Sequence, residues 1–276
     1  MNMTLVMVWK ELGIERFWMV SDSRLSASGY SGPQRLTDRA AKILEAPLIL
    51  RDSTVGKAVG TPGRSTILGF AYAGSSLIAL QAYAAVLPLW SRLEIAGPQV
   101  LPSIQDCARH LSKFVEGYFR EAESACQCVL IGYDDSSGVL DGWLIEASVL
   151  ENKAVVTTRQ LQLRGPDEIE IFGTGKTDAL ATLENYARHR AAPHWRREPL
   201  EMIRQNLKHD REGTVGGGVQ LGVLTEAGFE LSYDVQPLRV GDPVGQPLVK
   251  MKYRGFDLHD ISKVGDAQVI LTGIAG

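Results

Sequence analysis

The order in which strand-like and helix-like stretches follow one another constrains this chain most. The start, MTLVMVW, is an apolar, β-branched run. After a turn around Gly13, RFWMVSDSR has the same character, and the two read as a hairpin. AAKILEAP and STILGFAYAG add two short strands, separated by a Gly-rich polar segment from Arg51 to Arg64. Only then does a helical period appear. Ser75 to Leu93 carries an apolar stripe at Leu77, Leu80, Ala84, Leu87 and Trp90, and Pro102 to Glu123 repeats it through Ile104, Cys107, Leu111, Phe114, Val115 and Tyr118. Strands return near Cys126 to Tyr133, Gly142 to Ala147, Ala154 to Leu163 and Glu168 to Phe172, with Asp135 to Gly138 turning between the first two. Thr177 to Arg190 and Pro199 to Lys208 are helical again, and GGGVQLGVLTEAGFELSYD is a glycine-led hairpin.

A doubly wound parallel sheet alternates each strand with a helix, and this order does not. It predicts an α+β fold in which two antiparallel sheets pack face to face with a helix pair outside each. From Pro237 onward, Pro243, Pro247 and the strand-like pieces LVKMKYRG and AQVILTG read as an appendage that finishes an edge or makes a subunit contact. No repeat or linker divides the chain, so residues 1–276 are read as one domain with 237–276 as its C-terminal extension.

A hydrophobic fraction of 45% in 276 residues is enough for a large core. The net charge of -3, with Lys, Arg, Asp and Glu scattered evenly, gives no basic stripe for nucleic acid. Cys107, Cys126 and Cys128 lack metal-ligand spacing, and Cys126 and Cys128 would share one face of a strand as buried, reduced thiols. The five histidines, His110, His189, His194, His209 and His259, show no i, i+4 spacing and are expected to be exposed, so no metal site and no cofactor is expected. No stretch reaches the roughly 18 apolar residues of a membrane span, and the N-terminus lacks a basic region followed by an apolar core. This composition predicts a cytoplasmic protein.

One short segment invites a nucleotide-binding reading. IEIFGTGKTDAL, residues 169 to 180, sets a strand, a Gly-Thr-Gly-Lys-Thr turn and a helix start in a row. A phosphate-cradling loop needs glycine at both ends of G-x-x-x-x-G-K-[ST]. Gly175, Lys176 and Thr177 fit the second half, but Glu170 stands where the first glycine belongs. The turn needs another role.

VSDSR at 20 to 24, DRAAKI at 38 to 43, AYAGSS at 71 to 76, VLIGYDDSSG at 129 to 138 and IFGTGKTDAL resemble successive signature segments of proteasome β-type subunits, in family order, over residues 3 to 234. The chain is similar to bacterial members, such as the peptidase of the ATP-dependent two-component protease or the ancestral-type β subunit. The resemblance implies the N-terminal-nucleophile hydrolase fold, a four-layer αββα sandwich. It also implies that Gly173, Thr174 and Gly175 form the turn that supports the active site, with Thr174 in the catalytic set.

In such an enzyme the hydroxyl of an N-terminal threonine attacks the substrate, and its own α-amine, with an unperturbed pKa of about 7.7 to 8.0, serves as base. Thr4 matches that threonine. Asp22 and Lys42 would form a buried ion pair beside it, the ammonium holding down the amine's proton affinity. The Gly74 N–H would meet the developing oxyanion. Ser26 would pair through its backbone with an extended substrate, and Ser76 would line the first specificity pocket, so the substrate would bind as an added strand.

The expected activity is therefore that of a threonine-type peptidase subunit acting on peptides or unfolded chains inside a ring or related homo-oligomer, with an ATP-dependent unfoldase as a further partner. Two departures bear on it. Where the family commonly has Asp-x-x-Ser-Gly-Gly to brace the amine, this chain has GTVGGG, with Gly213 and Gly216 at the aspartate and serine places and Thr214 as a partial stand-in. Met1, Asn2 and Met3 precede Thr4 and must be removed to free its amine. The alternatives are a catalytically inactive structural subunit of the same fold and an amidase acting on a small amide.

Overall fold

The computed structural model describes the chain apart from residues 1–3, 12, 30–31, 52–61, 96–99, 152, 164, 166–167, 190–196, 210–214, 238–248, 255, 265 and 276. Met1 to Met3, Gly213, Thr214, His194, Pro243, Pro247 and most of the loop from Arg51 to Arg64 therefore lie outside the described residues.

The opening hairpin forms as expected from β1 (Val6–Lys10) and β2 (Phe17–Asp22). A second hairpin, β3 (Leu25–Gly29) with β4 (Gly32–Thr37), stands where the sequence offers no apolar pattern to announce it. Then follow β5 (Ile43–Arg51), β6 (Pro62–Gly74), α1 (Ser76–Trp90), β7 (Leu93–Glu94), α2 (Ile104–Ala122), β8 (Cys126–Asp134), β9 (Val139–Leu150), β10 (Lys153–Gln160) and β11 (Ile169–Phe172). The chain continues through α3 (Lys176–His189), α4 (Glu198–His209), β12 (Val219–Thr225), β13 (Gly228–Pro237), β14 (Val249–Tyr253) and β15 (Phe256–Asp257). It ends with α5 (Leu258–Ile261), β16 (Lys263–Val264), β17 (Ala267–Gln268) and β18 (Thr272–Ala275). The class is mixed α+β.

Two large sheets result. One runs β11-β1-β2-β12-β13-β14-β15, with β18 also on β13; the other runs β10-β9-β8-β6-β5-β7. Neither is wholly antiparallel, because β5 pairs β7 and β13 pairs β18 in parallel. Both parallel partners, β7 and β18, are short strands, which a reading of long apolar runs passes over.

The pleat decides where each side chain goes, since successive residues of a strand point to opposite faces. In β1 and β2, Leu5, Met7, Trp9, Trp18 and Val20 join a core with Ala179, Leu183, Leu200 and Ile203 of α3 and α4. Their neighbours Val6, Val8, Phe17 and Met19 turn the other way and meet Ala71, Ala73, Val129 and Ile131 of the other sheet. Within β6 and β8, Phe70, Tyr72, Cys128 and Leu130 pack instead with α1 and α2. Such two-sided burial is why these strands read as continuous apolar runs. Trp9 and Trp18 face each other across β1 and β2 with ring centroids 5.8 Å apart.

Helix α1 corrects the expected stripe. Its buried residues are Ile78, Ala79, Ala82, Val86 and Trp90, whereas Leu77 is 61% exposed and Leu80 and Leu89 also face outward. A helix without a charged residue offers no polar side to orient it, and Ala79 and Ala82 let the backbone approach the sheet. In α2 the expected face is largely the observed one, with Ile104, Cys107, Leu111 and Val115 buried. His110 departs from expectation: it is half-buried and its Nδ1 accepts the Trp90 Nε1–H at 3.1 Å, joining α2 to α1. All three cysteines are free and buried, with Cys126 and Cys128 sulfurs 3.6 Å apart. Among the described residues no helix is long and apolar enough to cross a membrane.

Candidate active site

Strand β2 delivers Asp22 to the end of the sheet, beside the segment that precedes β1. Among the described residues the Asp22 carboxylate there collects four donors. Its Oδ1 accepts the Leu5 N–H at 3.0 Å and the Lys42 ammonium at 2.8 Å; its Oδ2 accepts the N–H groups of Arg24 and Gly216, each at 3.1 Å. Asp22 and Lys42 are both 0% exposed. One carboxylate oxygen thus accepts from both the Lys42 ammonium and the amide that follows Thr4. Burial pulls the Lys42 ammonium below its ordinary pKa, and the Asp22 charge opposes that pull.

The short connection that presents Lys42 is fixed at successive backbone groups. The Ala40 N–H donates to the Ser23 carbonyl at 2.9 Å. Gln220 spans the connection from β12: its Oε1 accepts the Lys42 N–H at 2.9 Å, and its Nε2 donates to the carbonyls of Asp22 and Ala40, each at 3.0 Å. Tyr72 completes the support, its hydroxyl donating to the Ala41 carbonyl at 3.0 Å and its N–H to the Lys42 carbonyl at 3.3 Å. Sequence reasoning missed Gln220, although a glutamine between Val219 and Leu221 in an apolar strand is the kind of residue whose burial requires hydrogen bonds.

The GTGKT turn serves the same place. Gly173 has φ +91, and a Cβ there would lie 1.9 Å from the Thr4 carbonyl oxygen, so only glycine lets the turn close on Thr4. The Gly173 N–H donates to Gln127 Oε1 at 3.0 Å, and a Cβ on Gly173 would also lie 3.3 Å from the Ala73 side chain. Thr4, Gly173 and the end of β6, where Gly74 has φ +87, are thereby brought together. Glu170, the misfit in the nucleotide motif, is held by Arg159 at 2.7 and 2.9 Å.

The remaining expected residues are placed less uniformly. Thr4 is buried, and Ser76 is half-buried in the first turn of α1. Ser26 is fully buried, and its hydroxyl has no hydrogen-bond partner among the described residues. Thr174 has an exposed side chain, so it is Gly173, and not the Thr174 hydroxyl, that meets Thr4. Gly216, which stands where the family has a bracing serine, leaves its space to Arg24. A Cβ on Gly216 would lie 2.2 Å from the Arg24 guanidinium carbon, and Arg24 is itself buried and paired with Asp38 at 2.6 Å. Among the described residues no group of His, Cys, Asp and Glu could hold a metal.

No family model and no curated protein matches the chain. Solved structures do. The helical assembly of the Anbu complex from Pseudomonas aeruginosa superposes with a TM-score of 0.51 at 13% identity, over 87% of this chain and 88% of that one. Anbu, the ancestral beta-subunit, from Yersinia bercovieri gives 0.49 at 12% identity over 80% of each chain. The Gly-1 mutant of Anbu from Hyphomicrobium sp. strain MC1 gives 0.49 at 13% identity over 83% and 84%. The chain shares its fold with the Anbu complex from Pseudomonas aeruginosa. The assignment to the proteasome β-type subunit family is corrected by the same finding, since Anbu proteins are a distinct family and identities of 12–13% carry a fold and no more.

Proposed function

We propose that the chain is a four-layer αββα N-terminal-nucleophile hydrolase, a threonine-type peptidase whose nucleophile is Thr4 once residues 1–3 are removed. The observation that carries this reading is the sharing of Asp22 Oδ1 by the Lys42 ammonium and the amide directly after Thr4. Both members of the pair are fully buried, and a lysine kept in such a position at the cost of its hydration is the mark of a group retained for chemistry. In the proposed mechanism the Thr4 hydroxyl passes its proton to its own α-amine and attacks the carbonyl carbon. Lys42 favours the free amine and the developing alkoxide, while Asp22 fixes Lys42. The Gly74 N–H stabilises the tetrahedral oxyanion, and collapse returns the proton to the leaving amine; water then releases the acyl group from Thr4. Thr174 supports the site through its turn. Ser26 acts through its backbone, along the edge where an extended substrate adds as a strand, and Ser76 lines the first pocket.

The three cores, two between a sheet and its helices and one between the sheets, support the four-layer reading. The helical assembly of the Anbu complex from Pseudomonas aeruginosa supports self-association into a homo-oligomer. An enclosed chamber, an ATP-dependent unfoldase partner and a cytoplasmic location belong to the same proposal. Fluorogenic peptides assayed against the chain and against Thr4→Ala test the activity: hydrolysis that disappears with Thr4→Ala supports it, and equal rates in both refute it. A second reading, an inactive structural member of the fold, draws on Gly216, where Arg24 occupies the volume of a bracing side chain.

A further inference from the structure

The turn between β14 and β15 carries an arginine where the backbone disfavours one. Tyr253 pairs with Phe256, so Arg254 is the first of two loop residues, and its φ is +51. Two-residue hairpin loops of this kind are filled by Asn, Asp or Gly, because other side chains are strained at positive φ. Arg254 also buries its Nε without a hydrogen-bond partner among the described residues. Neither feature favours stability, and strain of this sort is retained where a side chain is needed in a particular place.

That place is the carbonyl next to Lys42. Arg254 Nη2 donates to the Ile43 oxygen at 2.5 Å, across 211 residues of sequence. On the other side of the same turn, the Arg39 guanidinium sits over the Phe256 ring at 4.5 Å. The hairpin tip thus touches both ends of the connection 39–43. Gln220 and Tyr72 hold the middle of that connection from the two sheets. We propose that the tip of the β14–β15 hairpin is a positioning device for Lys42, acting through Arg254 on the Ile43 carbonyl, and that the C-terminal extension is therefore part of the active site's support.

This rests on the reading of Lys42 as a member of the catalytic set. Arg254→Gly and Arg254→Lys, made in the full chain, test it by peptide hydrolysis and by hydrogen exchange at the Lys42 and Ile43 amides. With Arg254→Gly, kcat is expected to fall about tenfold or more while KM stays unchanged, since small displacements of a catalytic group cost that much. The two amides exchange faster, and the thermal midpoint does not fall, because glycine relieves the positive φ. Arg254→Lys, which keeps a cationic donor, recovers part of the lost kcat. An unchanged kcat in Arg254→Gly overturns the proposal, as does faster exchange throughout the chain with a lowered midpoint, which marks a merely structural arginine. If the unmodified chain and Thr4→Ala prove equally inert, the peptidase reading fails by itself. The exchange data then decide alone: faster exchange confined to residues 40–43 keeps the anchoring of Lys42, and unchanged exchange overturns it.

Discussion

Replacing Lys42 by methionine removes one of the four donors on the Asp22 carboxylate and leaves three backbone N–H groups, those of Leu5, Arg24 and Gly216, in place. Breaking a buried pair by deleting one partner typically costs about 3–5 kcal/mol, chiefly because a charge is left buried and unpaired. The surviving N–H groups keep Asp22 hydrogen-bonded, so Lys42→Met is expected near the lower end, about 3 kcal/mol. Asp22→Ala is the harsher change. It orphans three buried N–H groups, each worth about 1–3 kcal/mol when unsatisfied. It also forces Lys42 to give up its proton, the response of a buried lysine without a counter-charge. Its cost is therefore about 5 kcal/mol or more. Once Asp22 is gone the lysine contributes nothing further, so Asp22→Ala with Lys42→Met should cost no more than Asp22→Ala alone, a coupling of about 3 kcal/mol. Urea unfolding of the four proteins measures the cycle. Additive losses, or a Lys42→Met variant less stable than Asp22→Ala, would refute the reasoning that the carboxylate organises the site.

Three further outcomes follow from other parts of the fold. Gly173→Ala must place a Cβ against the Thr4 carbonyl at a φ of +91, so it should destabilise by about 2–3 kcal/mol and abolish hydrolysis, and a variant of normal stability and activity would contradict the turn's role. Burial, aided by Lys113, lowers the pKa of His110 below its ordinary value. The folded state therefore favours neutral imidazole, and His110's contribution is present above about pH 6.5 and lost as pH falls. Urea midpoints at mildly acidic and neutral pH should differ less in His110→Gln than in the parent. Burial also pushes the Cys107 thiol up to about 12, and contact with Cys126, together with burial, holds Cys128 well above its ordinary range. A thiol-reactive dye at pH 8 should leave all three cysteines unlabelled until denaturant is added; labelling of the native chain would contradict their inertness.

The architecture is legible in the sequence because most of its elements obey a local rule. Strand after strand of two-sided apolar character, helices grouped in pairs and a glycine-led hairpin leave little choice of class. What the sequence conceals depends on partners far along the chain. The face of α1 cannot be read because no charged residue marks an outside, and β3–β4 cannot because its two short strands hold few apolar residues. The same division runs through the candidate site. Asp22 and Lys42 are recognisable from the short segments around them, and they do meet at 2.8 Å. Gln220 and Arg254 support Lys42 from positions 178 and 211 residues away from the groups they hold, distances at which no local pattern speaks. Thr174 draws attention because it sits between two glycines, yet the turn works through the missing Cβ of Gly173.

The proposed hydrolysis needs a hydroxyl and an amine belonging to one residue, Thr4, with Lys42 close by. Intact mass measurement of the purified chain, before and after incubation with a peptide carrying an electrophile that acylates hydroxyl nucleophiles, tests this most directly. The prediction is a mature chain that begins at Thr4 and gains one acyl group, lost in Thr4→Ala. A chain that keeps residues 1–3 and gains no adduct would contradict it.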